Sequence, residues 1–269
     1  MIKLSSYHTH CTFCDGADTP RRMVERAIEL GCAEIGFSSH SPLPGEDWCI
    51  SEANMSSYFD TLSALRDEYK DKIKIYIGIE QDVLSRAYAF DFDYVIGSAH
   101  RIDCGGKFYA VDATVGETRD AIFNGCGGDV NLYCKIYFEA VSKVYEKTHC
   151  DIIGHFDLLT KFIERDPMFS ESDFEYVKAR DAALDILLEA PAVFEVNTGA
   201  ISRGYRTAPY PHPDVLERIK EAGKPVIVTS DTHAASTLDF MINETAERLS
   251  ASGFKVITSM EELLEYTRK

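Results

Sequence analysis

Residues 4–40 read LSSYHTHCTFCDGADTPRRMVERAIELGCAEIGFSSH. The first five of these residues are too few for a helix and suit a strand. Thr19-Pro20 then opens an amphipathic run that reaches Leu30 and stops at Gly31. Thr19 is an N-cap type, proline suits the first helical turn, and glycine suits the C-terminal end. A second short apolar run follows over 34–38. The stretch is therefore a strand-helix-strand unit. Working outward, the same alternation recurs. Further strands are expected over 73–79, 94–98, 152–154, 193–196, 226–229 and 255–258, several of them rich in Val, Ile and Tyr. Further helices are expected over 55–69, 131–147, 171–188, 213–222 and 238–251. Repeated units of this kind around one core imply an α/β fold with a parallel, TIM-like barrel. Only 101–129 fits no element. It holds several glycines and is expected to be a long irregular insertion, placed as a lid, within a single domain spanning 1–269.

Composition narrows the function. The chain has 269 residues, 45% of them hydrophobic, enough for a sizeable core and against disorder. No apolar run approaches a membrane span, so no membrane partner is expected. Met1–Ser5 has no secretory pattern, which makes a cytoplasmic location the expectation. The eight cysteines are then expected to be reduced. Cys11 and Cys14 form one C-x-x-C with no second pair, which argues against a zinc ribbon and leaves a redox pair as a minor alternative. A formal net charge of −16 repels polyanions, so nucleic acid is a poor partner. A small anionic substrate remains compatible, because bound divalent cations reverse the local sign of a pocket.

The chemistry sits where metal-ligand residue types meet strand ends. His8 and His10 lie at the end of the first strand, His40 after the second, Glu80 at the end of the third and His100 at the end of the fourth. His155 follows the fifth, Glu195 and Asn197 end the sixth, and Asp231 and His233 follow the seventh. In a parallel barrel these ends form one rim, where catalytic groups gather. Residues i and i+2 share a face of a strand, so His8 with His10, and Asp231 with His233, can present paired ligands. Asp15, in Cys14-Asp15-Gly16, is placed for a turn to fold its carboxylate back. Imidazole mixed with carboxylate suits zinc, manganese or iron. Each residue alone has a plainer role: H-x-H as a structural pair, Glu80 as a buried ion-pair partner, Asp231-Thr232-His233 as a helix cap. His149 and His212, inside or beside helical segments, are expected as surface or capping residues.

With these motifs in order, the chain resembles the polymerase and histidinol phosphatase (PHP) superfamily, and within it the histidinol-phosphate phosphatase branch. The motifs are His8-Thr9-His10, Cys14-Asp15-Gly16, Ser39-His40-Ser41-Pro42, Gly78-Ile79-Glu80, Gly97-Ser98-Ala99-His100, Gly154-His155-Phe156-Asp157-Leu158, Glu195-Val196-Asn197-Thr198-Gly199 and Ser230-Asp231-Thr232-His233. The resemblance implies a distorted (β/α)7 barrel with three divalent metal ions at the C-terminal strand ends. It implies that His8, His10, Glu80 and Asp231 hold one ion. Glu80 would bridge to a second, shared with His100 and His155, while Asp15, His40 and His233 hold the third. The branch also places basic residues against phosphate. Arg203 is the first candidate here, with Lys161 and Arg206 next, and Thr160 stands where some relatives carry a basic residue.

The implied activity is hydrolysis of a phosphomonoester, L-histidinol phosphate, in histidine biosynthesis. Glu80, Asp231 and His233 are the expected catalytic residues, and Asp112, Glu117 or Asp120 of the insertion would meet a cationic amine. The alternatives are another PHP phosphoesterase (a nucleotide or sugar phosphatase, or an exonuclease) and a non-catalytic metal-binding protein with the same fold.

Overall fold

The computed structural model describes residues 5–86 and 88–268. The expected first strand begins at Leu4, outside the described residues. Eight strands form one parallel sheet. In chain order they are β1 (Ser5–Ser6), β2 (Glu34–Phe37), β3 (Lys74–Asp82), β4 (Tyr94–Ser98), β7 (Ile152–Ile153), β8 (Val193–Asn197), β9 (Val226–Thr229) and β10 (Val256–Ile257), and each neighbours the next. The interrupting pair, β5 (Arg101–Asp103) and β6 (Phe108–Ala110), is a separate antiparallel hairpin.

The sheet curls into a distorted barrel. Just past β1, His10 N donates to Thr232 O at 2.8 Å and Thr232 N donates to His8 O at 3.1 Å, so the first and seventh strands of the ring meet at the rim. Lower down, β10 lies against β9 instead. The helix after it, α10 (Met260–Thr267), closes the floor, where Met260 and Leu263 pack with Tyr7, Tyr94, Ile96, Ile152, Val193, Ile227 and Ile257. Gly36 and Gly78 make room for this layer. A Cβ on either would come within 2.5 Å of the Tyr94 side chain. The lower interior is thus aromatic and aliphatic, and the polar residues are left for the upper layer.

The remaining helices are α1 (Pro20–Glu29), α2 (Met55–Tyr69), α3 (Val115–Asp120), α4 (Val130–Val141), α5 (Val144–Thr148), α6 (Phe174–Leu188), α7 (Gly199–Ser202), α8 (Pro213–Glu221) and α9 (Ile242–Ala251). Several depart from expectation for identifiable reasons. The helix expected over 131–147 breaks after Val141, where the Ser142 hydroxyl bonds the Glu139 carbonyl at 2.9 Å and competes with the helical pattern. The one expected from 171 starts at Phe174, because Ser170 N and the Ser172 and Asp173 side chains close a turn first. The one expected from Leu238 starts at Ile242, because the Leu238 and Phe240 carbonyls accept from the rim hydroxyls Ser230 Oγ and Thr198 Oγ1. The segment 101–129 is more ordered than expected, holding the hairpin, α3 and a π-helical turn over Ala121–Gly125. His212 caps α8 and His149 ends α5 with a positive φ of 49°, as expected of capping residues. All eight cysteines are free.

Candidate metal centre

The strand ends carry the side chains of the centre, and alternation breaks at the first of them, where the consecutive residues Tyr7 and His8 both face the interior. After Tyr7 in the floor layer, His8 and His10 point inward, while Thr9 between them faces the Ser6 and Ser38 hydroxyls. The turn after His10 is tight. Cys14 N bonds Cys11 O, and a Cβ on Gly16 would lie 2.4 Å from Cys11 N. That turn brings Asp15 back over the rim, 3.6 Å from His40 Nε2 and 3.4 Å from His233 Nε2. β3 runs on past its expected end to Asp82, which sets Glu80 inside the sheet, bridged to His40.

Glu80 is the hub. It is 1% exposed, and five imidazoles approach its carboxylate: His40 at 2.8 Å, His155 at 2.9 Å, His100 at 3.2 Å, His8 at 3.3 Å and His10 at 3.6 Å. Asp231 adds a second carboxylate, 3.4 Å from His10 Nε2 and 3.7 Å from His8 Nε2. Its φ of 45° is a left-handed conformation uncommon outside glycine. Burial alone would raise both carboxyls. For Glu80 the neighbouring His100, His40 and His8, and for Asp231 the Arg203 guanidinium and His8, hold the pKa well below the usual range.

The ligand-type atoms gather in overlapping groups: His10, Asp15, His40 and His233; His8, His155 and Asp231; His8, His10 and Glu80; and His40, Glu80 and His100. The nine residues expected as ligands all fall in these groups. The grouping differs from the implied sharing: His10 also joins Asp15, His40 and His233, His40 joins Glu80 and His100, and His155 and Asp231 fall together with His8. The donor set fits transition-metal ions on a specific observation: His8 Nε2, His10 Nε2 and Glu80 Oε2 are fully buried with no hydrogen-bond partner. Buried polar atoms are rarely left so. Here three lone-pair-bearing atoms converge, which a cation satisfies.

The centre opens into a cavity of about 380 Å³. Asp15, His40, His100, His155, Asp231 and His233 form its floor, with Trp48, Asp112, Lys161, Arg203 and Tyr205 around them. Arg203 donates to Asp231 Oδ2 at 3.0 Å and to Asp231 O at 2.8 Å. Lys161 donates to Asp112, at 2.7 Å to its carbonyl and 3.1 Å to its carboxylate. Arg206 turns the other way. It is buried beneath the wall, bonded to Thr160 and facing Glu171 at 3.5 Å, and it does not line the cavity. Thr160, at the position where some relatives carry a basic residue, is the buried acceptor of Arg206 instead. Among the acidic residues of the insertion, Asp112 reaches the cavity, whereas Glu117 pairs with the α3 cap Thr114 and Asp120 with Asn124. A larger groove of about 510 Å³ lies on the outer face between α4 and α6, and none of the ligand groups falls on it.

The linear pattern marks Glu195 only as a strand-end residue and does not single out Asp82 or Ser98. Glu195 Oε1 lies 2.5 Å from His8 Nδ1, Asp82 Oδ2 accepts from His100 N at 2.8 Å, and Ser98 Oγ donates to Glu80 at 2.6 Å. The alternation of β8 is the signal that finds the first of these, since it points Glu195 and Asn197 to the same face.

Three comparisons bear on this centre. The family model described as PHP domain matches residues 6–199. A Deinococcus radiodurans protein named probable histidinol-phosphatase is 26% identical, with 96% of this chain and 97% of the relative covered. The Bacillus subtilis histidinol-phosphatase is 24% identical over 90% of this chain and 97% of its own. Among solved structures, a Lactococcus lactis histidinol phosphate phosphatase, crystallised with zinc, L-histidinol and phosphate, superposes with a TM-score of 0.72 at 24% identity, covering 96% of both chains. No helix among the described residues is long and apolar enough to cross a membrane.

Proposed function

The chain belongs to the PHP domain family of metal-dependent phosphoesterases, and from that premise we propose that it is a histidinol-phosphatase, hydrolysing L-histidinol phosphate to L-histidinol and phosphate. The observation that carries the chemistry is the convergence of His8 Nε2, His10 Nε2 and Glu80 Oε2, buried and without hydrogen-bond partners, beside a cavity lined by Arg203 and Lys161. The specificity rests on relatives that carry this name and match along nearly their whole length.

In this reading three divalent transition-metal ions would be held at the rim, one by His8, His10, Glu80 and Asp231, one by Glu80, His100 and His155, and one by Asp15, His40 and His233. When bound, such ions would offset the charge of the phosphate oxygens and supply hydroxide near neutral pH. The protein does the rest. Arg203 grips the remaining phosphate oxygens with its planar fork, and Lys161, which lines the same cavity, adds a point charge. Asp112 faces the cationic amine of the substrate. The proton that the attacking water gives up would pass, by way of the Asp231 carboxylate or His233, to the leaving alkoxide. The whole of 1–269 acts as one domain in the cytoplasm, with 101–129 as the wall over the substrate, and the acidic surface keeps polyanions away. Phosphate release from histidinol phosphate, nucleotide monophosphates, sugar phosphates and an oligonucleotide tests the reading. Histidinol phosphate is expected to give the highest kcat/KM, and a higher value for any other member of the panel overturns the assignment. No turnover of any member with added manganese identifies a non-catalytic protein.

A further inference from the structure

We propose that Glu195 is a positioning residue of the metal centre: it holds the His8 imidazole with its proton on Nδ1, so that Nε2 faces the metal position, and it ties that imidazole to the loop carrying Arg203. The inference rests on the metal-centre reading above and extends it to a residue outside the ligand set.

Glu195 is 1% exposed, and its two oxygens accept four hydrogen bonds. Oε1 meets His8 Nδ1 at 2.5 Å and Thr229 Oγ1 at 2.6 Å, and Oε2 meets His155 N at 2.6 Å and Asn197 Nδ2 at 3.0 Å. The His155 amide and the Asn197 amino group can only donate, so Oε2 is an acceptor on both sides. With the carboxylate accepting throughout, the proton of the His8 bond belongs to Nδ1. The opposite ring atom, Nε2, is then left as a lone pair, and it is one of the buried atoms without a partner. A histidine ligand whose second nitrogen donates to a carboxylate gains basicity and a fixed orientation. Glu195 also gathers three strands. His8 follows β1, His155 follows β7 and Thr229 ends β9. Through Asn197, whose Oδ1 accepts from Gly199 N at 2.9 Å, the contact passes to α7 and to Arg203 at its end.

Glu195→Gln is the discriminating change. Turned toward the Oε2 position, its NH2 would face two obligate donors, His155 N and Asn197 Nδ2; turned toward the Oε1 position, it would donate to His8 Nδ1 and move the ring proton to Nε2. Zinc affinity of the full chain, measured by competition with a chelator, is expected to fall about 10- to 100-fold. In a His8→Ala background the same change is expected to add little, because its effect runs through that ring. A lowered melting temperature of the metal-free protein with unchanged zinc affinity, or a full additional loss in the double variant, overturns the proposal. Should Glu195→Gln not fold, 15N NMR of the imidazoles in the unaltered zinc-loaded protein decides. A proton on His8 Nδ1 is expected, and a proton on Nε2 overturns it. Zinc content of the unaltered protein is read separately, so failure of the metal-centre reading shows there first.

Discussion

Two glutamates are buried in the same barrel, Glu34 at its floor and Glu80 at its rim, and their surroundings are opposite. Glu34, 5% exposed, accepts from Tyr7 OH at 2.5 Å and Met260 N at 3.0 Å, and Lys74 Nζ reaches its other oxygen at 3.3 Å. Its neighbours are mostly ordinary donors, and both oxygens are served. Glu80 has Ser98 and His155 on one oxygen, while the other has none aligned to bond it despite imidazole nitrogens close by. A carboxylate supplied with donors from the sheet and its covering helix is part of the architecture. One ringed by imidazoles whose own inward nitrogens lack partners is waiting for positive charge. Burial does not separate the two, but the chemistry of the neighbours does.

The comparison can be broken at the rim first. Removing metal ions with a chelator is expected to abolish activity, and adding manganese or zinc to restore it. Elemental analysis of active protein is expected to find several ions per chain. One ion or fewer in fully active enzyme would exclude the trinuclear arrangement. Next in size is Glu80→Gln. Loss of ionic stabilisation worth several kcal/mol implies a drop in kcat/KM of at least about 100-fold. Metal content should fall with it, while the metal-free protein keeps its melting temperature. The reverse result, normal metal content with a sharply lower melting temperature, would make Glu80 a second Glu34.

The cationic wall sharpens the contrast at a smaller scale. A charge-assisted hydrogen bond contributes about 1.5–3 kcal/mol, so Arg203→Ala should cost on the order of 10- to 150-fold in kcat/KM. Arg203→Lys should fall between it and the unaltered enzyme, with metal content unchanged. Arg206→Ala should lower stability and leave kinetics near normal, because its guanidinium serves Thr160 and Glu171. Equal kinetic losses for the two arginines would mean that the wall is assigned wrongly. The smallest kinetic effect belongs to the floor. Glu34→Gln is expected to change kcat/KM little and to lower unfolding free energy by about 1–3 kcal/mol. Denaturant titration beside steady-state kinetics on one preparation reads both.

Much of the centre is legible in the linear order of residues. Six histidines and their carboxylates stand where strands end, and strand ends of a parallel barrel share a rim whatever the details of packing. The strands over 94–98 and 226–229 are legible to the residue, because short β-branched runs bounded by polar residues have few other uses. Helix starts are less legible where side chains from elsewhere capture the carbonyls, as Ser230 and Thr198 do ahead of α9.

The linear pattern by itself determined the order of the parallel strands and of the main helices between them, the barrel and the residue types brought to its rim, because alternation and periodicity are local properties of the chain. It did not determine the β5–β6 hairpin, α3, α7 or α10. Only the tertiary structure decided which atoms face one another. It separated Glu80 from Glu34, directed Arg203 into the cavity and Arg206 beneath it, joined Asp112 to Lys161 across 49 positions, and set Glu195 against His8 across 187. Such contacts depend on strand register and on which side chain wins each shared donor. Both are settled by packing across the barrel, and the spacing of residues along the chain gives at most the face, as for Glu195, and never the partner.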